Sequence, residues 1–167
     1  MAQDSDTGIL SEAQRETRER IVELLTRAYW MEVETVMSYI AASVNPEGLR
    51  AQEVKESLAT DILEELGHAR RFAQRIKELY GVVPGSKEMR AEQDSLQPPA
   101  DSVDIAQVIH GVIDAERGAI QHYNELIEVT DGVDPVTQDL VTQVLADEQA
   151  HLRTFEGFLR EYESAKA

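Results

Sequence analysis

The chain contains no cysteine. A disulfide framework, a cysteine-ligated zinc or iron centre and a thiol nucleophile are therefore excluded. Aromatic residues make up only 5% of the sequence, while Ala, Leu, Ile, Val, Glu and Arg dominate it, a balance that favours helices over sheets. No apolar run approaches membrane-spanning length, so no membrane partner is expected. Residues 1–8 are acidic and lack an apolar core, so no signal peptide is expected and the expected location is cytoplasmic. Basic residues are scarce too: 16 Lys plus Arg stand against 32 Asp plus Glu, a formal net charge of −16. Such a surface repels nucleic acid and attracts cations, although solubility alone explains it equally well.

What is present is one domain's worth of amphipathic helix: 167 residues, 42% of them hydrophobic. Residues 1–10 are polar and are expected to be flexible, leaving a single domain over 11–163. Within it, four segments carry apolar residues at three-and-four spacing, over 11–44, 50–80, 102–130 and 135–162. Asn45, Pro46 and Gly48 break the first, and Gly81 stops the second. Asp134 is placed to cap the fourth, with Pro135 at its first position. The stretch 81–102 holds Gly81, Pro84, Gly85, Pro98 and Pro99 without periodicity. Helices of this length run about 42 Å, and a connection of that many residues reaches about 70 Å when extended. The middle connection therefore spans the bundle end to end and leaves the third helix parallel to the second, an all-α four-helix bundle with one long crossover.

Each apolar stripe is interrupted near its midpoint by a carboxylate: Glu32, Glu65, Glu116 and Glu148. An uncompensated buried carboxylate is strongly unfavourable, and no Lys or Arg lies on these stripes at the same level. Two divalent cations balance four glutamates. Glu65 and Glu148 are each followed three residues later by a histidine, His68 and His151, which places both groups on one helix face. Imidazole with carboxylate suits iron, manganese or zinc rather than calcium or magnesium. One Glu-x-x-His is a weak signal, but the two halves of the chain repeat: Tyr39 and Tyr123 each lie seven residues after Glu32 and Glu116, Phe72 and Phe155 each four after the histidine. The other polar or aromatic residues read plainly. Glu34 is expected to face solvent, His110 and His122 to be surface or interface residues, and Trp30, off the core stripe, to suit a subunit contact.

One Glu on each of the first and third helices, with Glu-x-x-His on the second and fourth, resembles the ferritin-like di-iron carboxylate family, bacterioferritin in particular, over about residues 15–162. The resemblance implies a centre of two Fe ions, with Mn as an alternative. Glu65 and Glu148 would bridge the ions, Glu32 and Glu116 would be terminal ligands, and His68 and His151 would bind one ion each. It also implies that Glu64 and Asp147 orient the histidine of the opposite helix. Tyr39 and Tyr123 would bond the terminal carboxylates or carry an oxidising equivalent, unless they are plain core residues. The implied activity is a ferroxidase oxidising Fe(II) with dioxygen or hydrogen peroxide, in iron storage or detoxification. A rubrerythrin-like peroxidase or a di-manganese catalase is the alternative. A homo-oligomer, at least a dimer built on the outer faces of helices one and four and the crossover, is implied as well. Leu66 stands where bacterioferritin has its haem-ligating Met, so no haem is expected; Ala119 stands where rubrerythrin has a further glutamate. Only residues 163–167 follow the fourth helix, so the fifth helix of cage ferritins is not expected. The complete ligand set within one chain departs from mini-ferritins, which place their metals between subunits.

Overall fold

A computed structural model describes residues 8–164. It contains four long helices: α1 (Arg15–Val44), α2 (Gln52–Glu78), α3 (Ile105–Thr130) and α4 (Pro135–Ser164). No strand occurs among the described residues. Cross-helix bonds give the directions. Arg20 near the start of α1 bonds Glu125 near the end of α3, whereas Tyr39 bonds Glu116, so these two helices are antiparallel. Arg75 with Thr137 and Glu64 with His151 make α2 and α4 antiparallel. Short turns join α1 to α2 and α3 to α4, and those pairs pack most closely. It follows that α3 runs parallel to α2, and residues 79–104 cross the bundle between them.

The helix ends follow local chemistry. The Asp134 carboxylate accepts from the Thr137 backbone N–H at 3.0 Å, capping α4 as expected. It also accepts from Arg75 Nη2 at 2.8 Å while Arg75 Nε donates to Thr137 Oγ1, so the cap is also a buried ion pair that ties α2 to α4. At the end of α2 the left-handed residue is Tyr80 (φ 64°), not Gly81. Gly81 is required for space instead, because a Cβ there would lie 2.8 Å from Val22 Cγ1 and from Ile76 Cγ2.

The expectation of a flexible start is corrected for residues 8–10. They form a short 3₁₀ turn, Ile9 is buried against the core, and Arg18 Nη1 donates to the carbonyls of Ile9 and Ser11. Residues 1–7, the remainder of that expectation, lie outside the described residues.

Apolar packing divides into two clusters. One contains Ile21, Leu25, Phe72, Ile76, Leu126 and Val144; the other contains Leu58, Ile109, Val112 and Phe155. The four mid-helix glutamates and both site histidines are buried as well. Glu34 is not solvated: it is 2% exposed, because the crossover lies over it. Its carboxylate accepts from the backbone N–H groups of Glu92 at 2.8 Å and Gln93 at 2.9 Å. Gly111 allows the crossover to lie flush on α3, since a Cβ there would meet Ser95 O at 2.6 Å. The large exposed apolar residues of α1 and α2 are Met37, Ile40, Val44, Leu63 and Leu66, whereas α4 exposes only Val136. Exposed apolar side chains of the helices thus concentrate on α1 and α2. Among the described residues no helix is long and apolar enough to cross a membrane.

Candidate metal centre

Helical spacing brings six side chains to one level. His68 Nδ1 lies 3.2 Å from Glu148 Oε1, 3.5 Å from Glu65 Oε2 and 3.7 Å from Glu32 Oε2. His151 Nδ1 lies 3.3 Å from Glu65 Oε1 and 3.7 Å from both Glu116 Oε1 and Glu148 Oε2. The result is two groups of four, Glu32–Glu65–His68–Glu148 and Glu65–Glu116–Glu148–His151. Glu65 and Glu148 belong to both.

The donor set fits a pair of metal ions. Both Glu65 oxygens, one oxygen each of Glu116 and Glu148, and Nδ1 of both histidines are buried and lack a hydrogen-bond partner in the protein. Native proteins rarely leave so many polar atoms unsatisfied in one place. The separations suit coordination too: a four-coordinate ion with bonds of about 2.1 Å sets its ligand atoms about 3.4 Å apart.

The outer edge of each imidazole meets an acid from the facing helix. His68 Nε2 lies 3.2 Å from Asp147 Oδ2, and His151 Nε2 lies 3.3 Å from Glu64 Oε2. A carboxylate there fixes Nε2 as the protonated nitrogen and leaves the Nδ1 lone pair for the centre. The tyrosines also cross over. Tyr39 of α1 donates to Glu116 of α3, and Tyr123 of α3 donates to Glu32 of α1.

The protein manages the charge with protons. Burial, then the charges of Glu148 and Glu65, push the Glu32 carboxyl well up; burial and Glu148 do the same to Glu116. Burial also acts upward on Glu65 and Glu148, but the adjacent imidazoles and, for Glu65, first the adjacent Glu32 carboxyl, outweigh it and hold both below the usual carboxylate range. Burial acts downward on the imidazoles. Contacts with Glu148, Glu32 and Glu65 outweigh it at His68, and contacts with Glu148 and Glu65 raise His151 to about 12. Protons and metal ions thus compete for the same buried carboxylates and imidazoles.

One further residue belongs to this region and was not singled out from sequence. Asp61, one turn before Glu65, places Oδ1 3.9 Å from His151 Nε2. Its counterpart before Glu148 is Val144, so the repeat hides it. His122, expected at the surface or an interface, is 3% exposed and its Nε2 bonds Leu24 O at 2.9 Å; His110 is exposed. Trp30 is half-buried beside Tyr29, ring centroids 5.0 Å apart.

A sequence model of the ferritin-like domain matches residues 22–165. A DNA protection during starvation protein of Pyrococcus furiosus is 29% identical over 145 residues, which cover 84% of this chain and 77% of the relative. The bacterioferritin of Desulfovibrio desulfuricans is 28% identical over 144 residues, 85% of this chain and 76% of the relative. The likeness thus extends to a protein with a DNA-protection name as well as to bacterioferritin. Among solved structures, a dodecameric thioferritin, the bacterioferritin-related protein of Bacteroides fragilis, matches with a TM-score of 0.81 at 27% identity, covering 89% of both chains. The bundle, its crossover and the match along most of the sequence agree: this chain belongs to the ferritin-like family.

Proposed function

We propose that the chain is a di-iron ferroxidase that oxidises Fe(II) with dioxygen or hydrogen peroxide, in iron storage or protection from iron, in the cytoplasm. The observation that carries this reading is the pair of buried four-residue groups sharing Glu65 and Glu148. The relatives named bacterioferritin and DNA protection during starvation protein support the physiological role. Fe(II) is the substrate, and two ions held side by side supply two electrons to one oxidant molecule.

The chain's own residues do the rest. Glu65 and Glu148 serve both positions and set their separation. Glu32 with His68, and Glu116 with His151, complete one position each. Tyr123 and Tyr39 hold the carboxylates of Glu32 and Glu116 by hydrogen bonds. Asp147 and Glu64 hold the imidazoles in the ligating tautomer. Two electrons with two protons take dioxygen to hydrogen peroxide, or hydrogen peroxide to two waters. The same donor set suits manganese, and a peroxide-consuming enzyme without iron storage is the competing reading. The exposed apolar residues of α1 and α2 support a homo-oligomer, at least a dimer, through that face.

The test is to measure metal per chain, then add Fe(II) in air while following absorbance and native mass. Uptake of many irons by a large particle supports storage, and saturation at two irons supports the pure oxidase or peroxidase. Unchanged metal content in the Glu65→Ala, Glu148→Ala double variant refutes the ligand assignment.

A further inference from the structure

The central cavity, about 10 Å³, is lined by the four glutamates together with Met31, Thr35, Ala115, Ala119 and Tyr123. A second cavity of about 240 Å³ lies between α1, α3 and the crossover. Met31 and Ala115 line both. On the α3 side the residues shared or adjacent are Ala115, Gly118 and Ala119, which fill little space. Of the two residues that line both cavities Met31 is the larger, unbranched, half-buried and able to change rotamer without displacing backbone.

Two residues that line the outer cavity each carry a buried polar atom with no hydrogen-bond partner in the protein. His122 Nε2 faces the Leu24 carbonyl, which only accepts, so Nε2 carries the proton and Nδ1 keeps a lone pair. That Nδ1 is buried and unpartnered. Gln93, whose amide nitrogen donates to Thr35 Oγ1, likewise leaves its buried Oε1 unpartnered. Both residues line the outer cavity, as do Glu92, Asp114 and Glu125, against the single cation Arg27 among its lining residues. Arg27 is already paired with Glu92 at 3.0 Å. Two unsatisfied acceptors within an acidic rim are what a hydrated cation requires.

We propose that the α1–α3 seam is the route by which divalent cations reach the buried centre, with the His122–Gln93 cavity as a staging site and Met31 as its gate. This rests on the reading of the centre as a metal site. A gate has a distinctive kinetic signature: it changes arrival and departure by one factor and leaves the dissociation constant unchanged.

The experiment uses Co(II) alone as the probe, with its visible absorption reporting occupancy of the Glu–His centre in stopped flow. Met31→Ala should speed both binding and release about tenfold, and Met31→Phe should slow both about tenfold, with the final spectrum and Kd unchanged. Asp114→Asn, an exposed change that does not threaten folding, should lower the association rate a few-fold at low salt and leave release unchanged. Rates that do not move in either Met31 variant, or a Kd that moves with them, overturn the gate. An association rate that stays constant in Asp114→Asn overturns the staging site. A wild-type chain that takes up no Co(II) overturns the ligand reading and the route together, whereas normal uptake with unmoved rates overturns the route alone.

Discussion

The His68 half and the His151 half of the centre share a plan and differ in their surroundings. Each has a terminal glutamate bonded by a tyrosine from the facing helix, a histidine, and an acid behind that histidine. Behind His151, however, stands a second acid, Asp61, where the matching residue beside His68 is the apolar Val144. Thr35 on α1 likewise corresponds to Ala119 on α3. The candidate ligands, the tyrosines and the acids at His68 and His151 repeat, whereas Asp61 and Thr35 have no like counterpart. Geometry at the centre is constrained from both sides at once, because Glu65 and Glu148 serve both halves; the outer layer has no such coupling.

The largest test of this comparison removes a shared carboxylate against an unshared one. Glu148→Ala should weaken both metal positions by about 100-fold or more, whereas Glu32→Ala should leave one position occupied, as read by metal per chain after dialysis. Equal losses in the two variants would mean that the halves are not joined through Glu148. Next comes the proton count. Glu32, Glu116, His68 and His151 are all held above their ordinary values, so metal competes with protons for them. Loading with Zn(II) should release protons, and affinity should fall as pH is lowered. Calorimetry in two buffers of different ionisation enthalpy counts those protons directly; a release near zero would contradict that competition.

A smaller change isolates the asymmetry itself. Asp61→Val should alter only the His151 position, by about tenfold in affinity, and bring its binding step toward that of the His68 position. Asp147→Ala should alter only the His68 position. If Asp61→Val moves both steps equally, the two halves are not separable. The smallest effect on the centre is expected from Gly111→Ala, which forces the crossover away from α3. It should destabilise the fold by about 1–3 kcal/mol in thermal or denaturant unfolding and leave two-ion stoichiometry intact.

Much of the centre was legible because a helix converts sequence spacing into a shared face. Glu65 and His68, or Glu148 and His151, meet through local periodicity, and the repeat makes the coincidence conspicuous. Residues covered by a non-periodic segment were misread. Glu34 lies two positions from Glu32, which points it away from the bundle core, and only the crossover makes that direction buried. His122 was read as a surface or interface residue for the same reason: nothing in α3 announces that the Leu24 carbonyl lies against it. Asp61 went unnoticed because the repeat, which exposed the candidate ligands, pairs it with a valine.

The sequence by itself determined that there are four amphipathic helices, a crossover long enough to make α3 parallel to α2, and an acidic layer in each apolar stripe, since all three follow from periodicity and chain length. Which side chain meets which partner was decided by tertiary structure alone. Tyr39 reaches Glu116 rather than Glu32, and Asp147 backs His68 rather than His151, because α1 and α3, like α2 and α4, are antiparallel neighbours. A helix fixes the direction in which its residues point, and only the packing of one helix on another fixes what they find there.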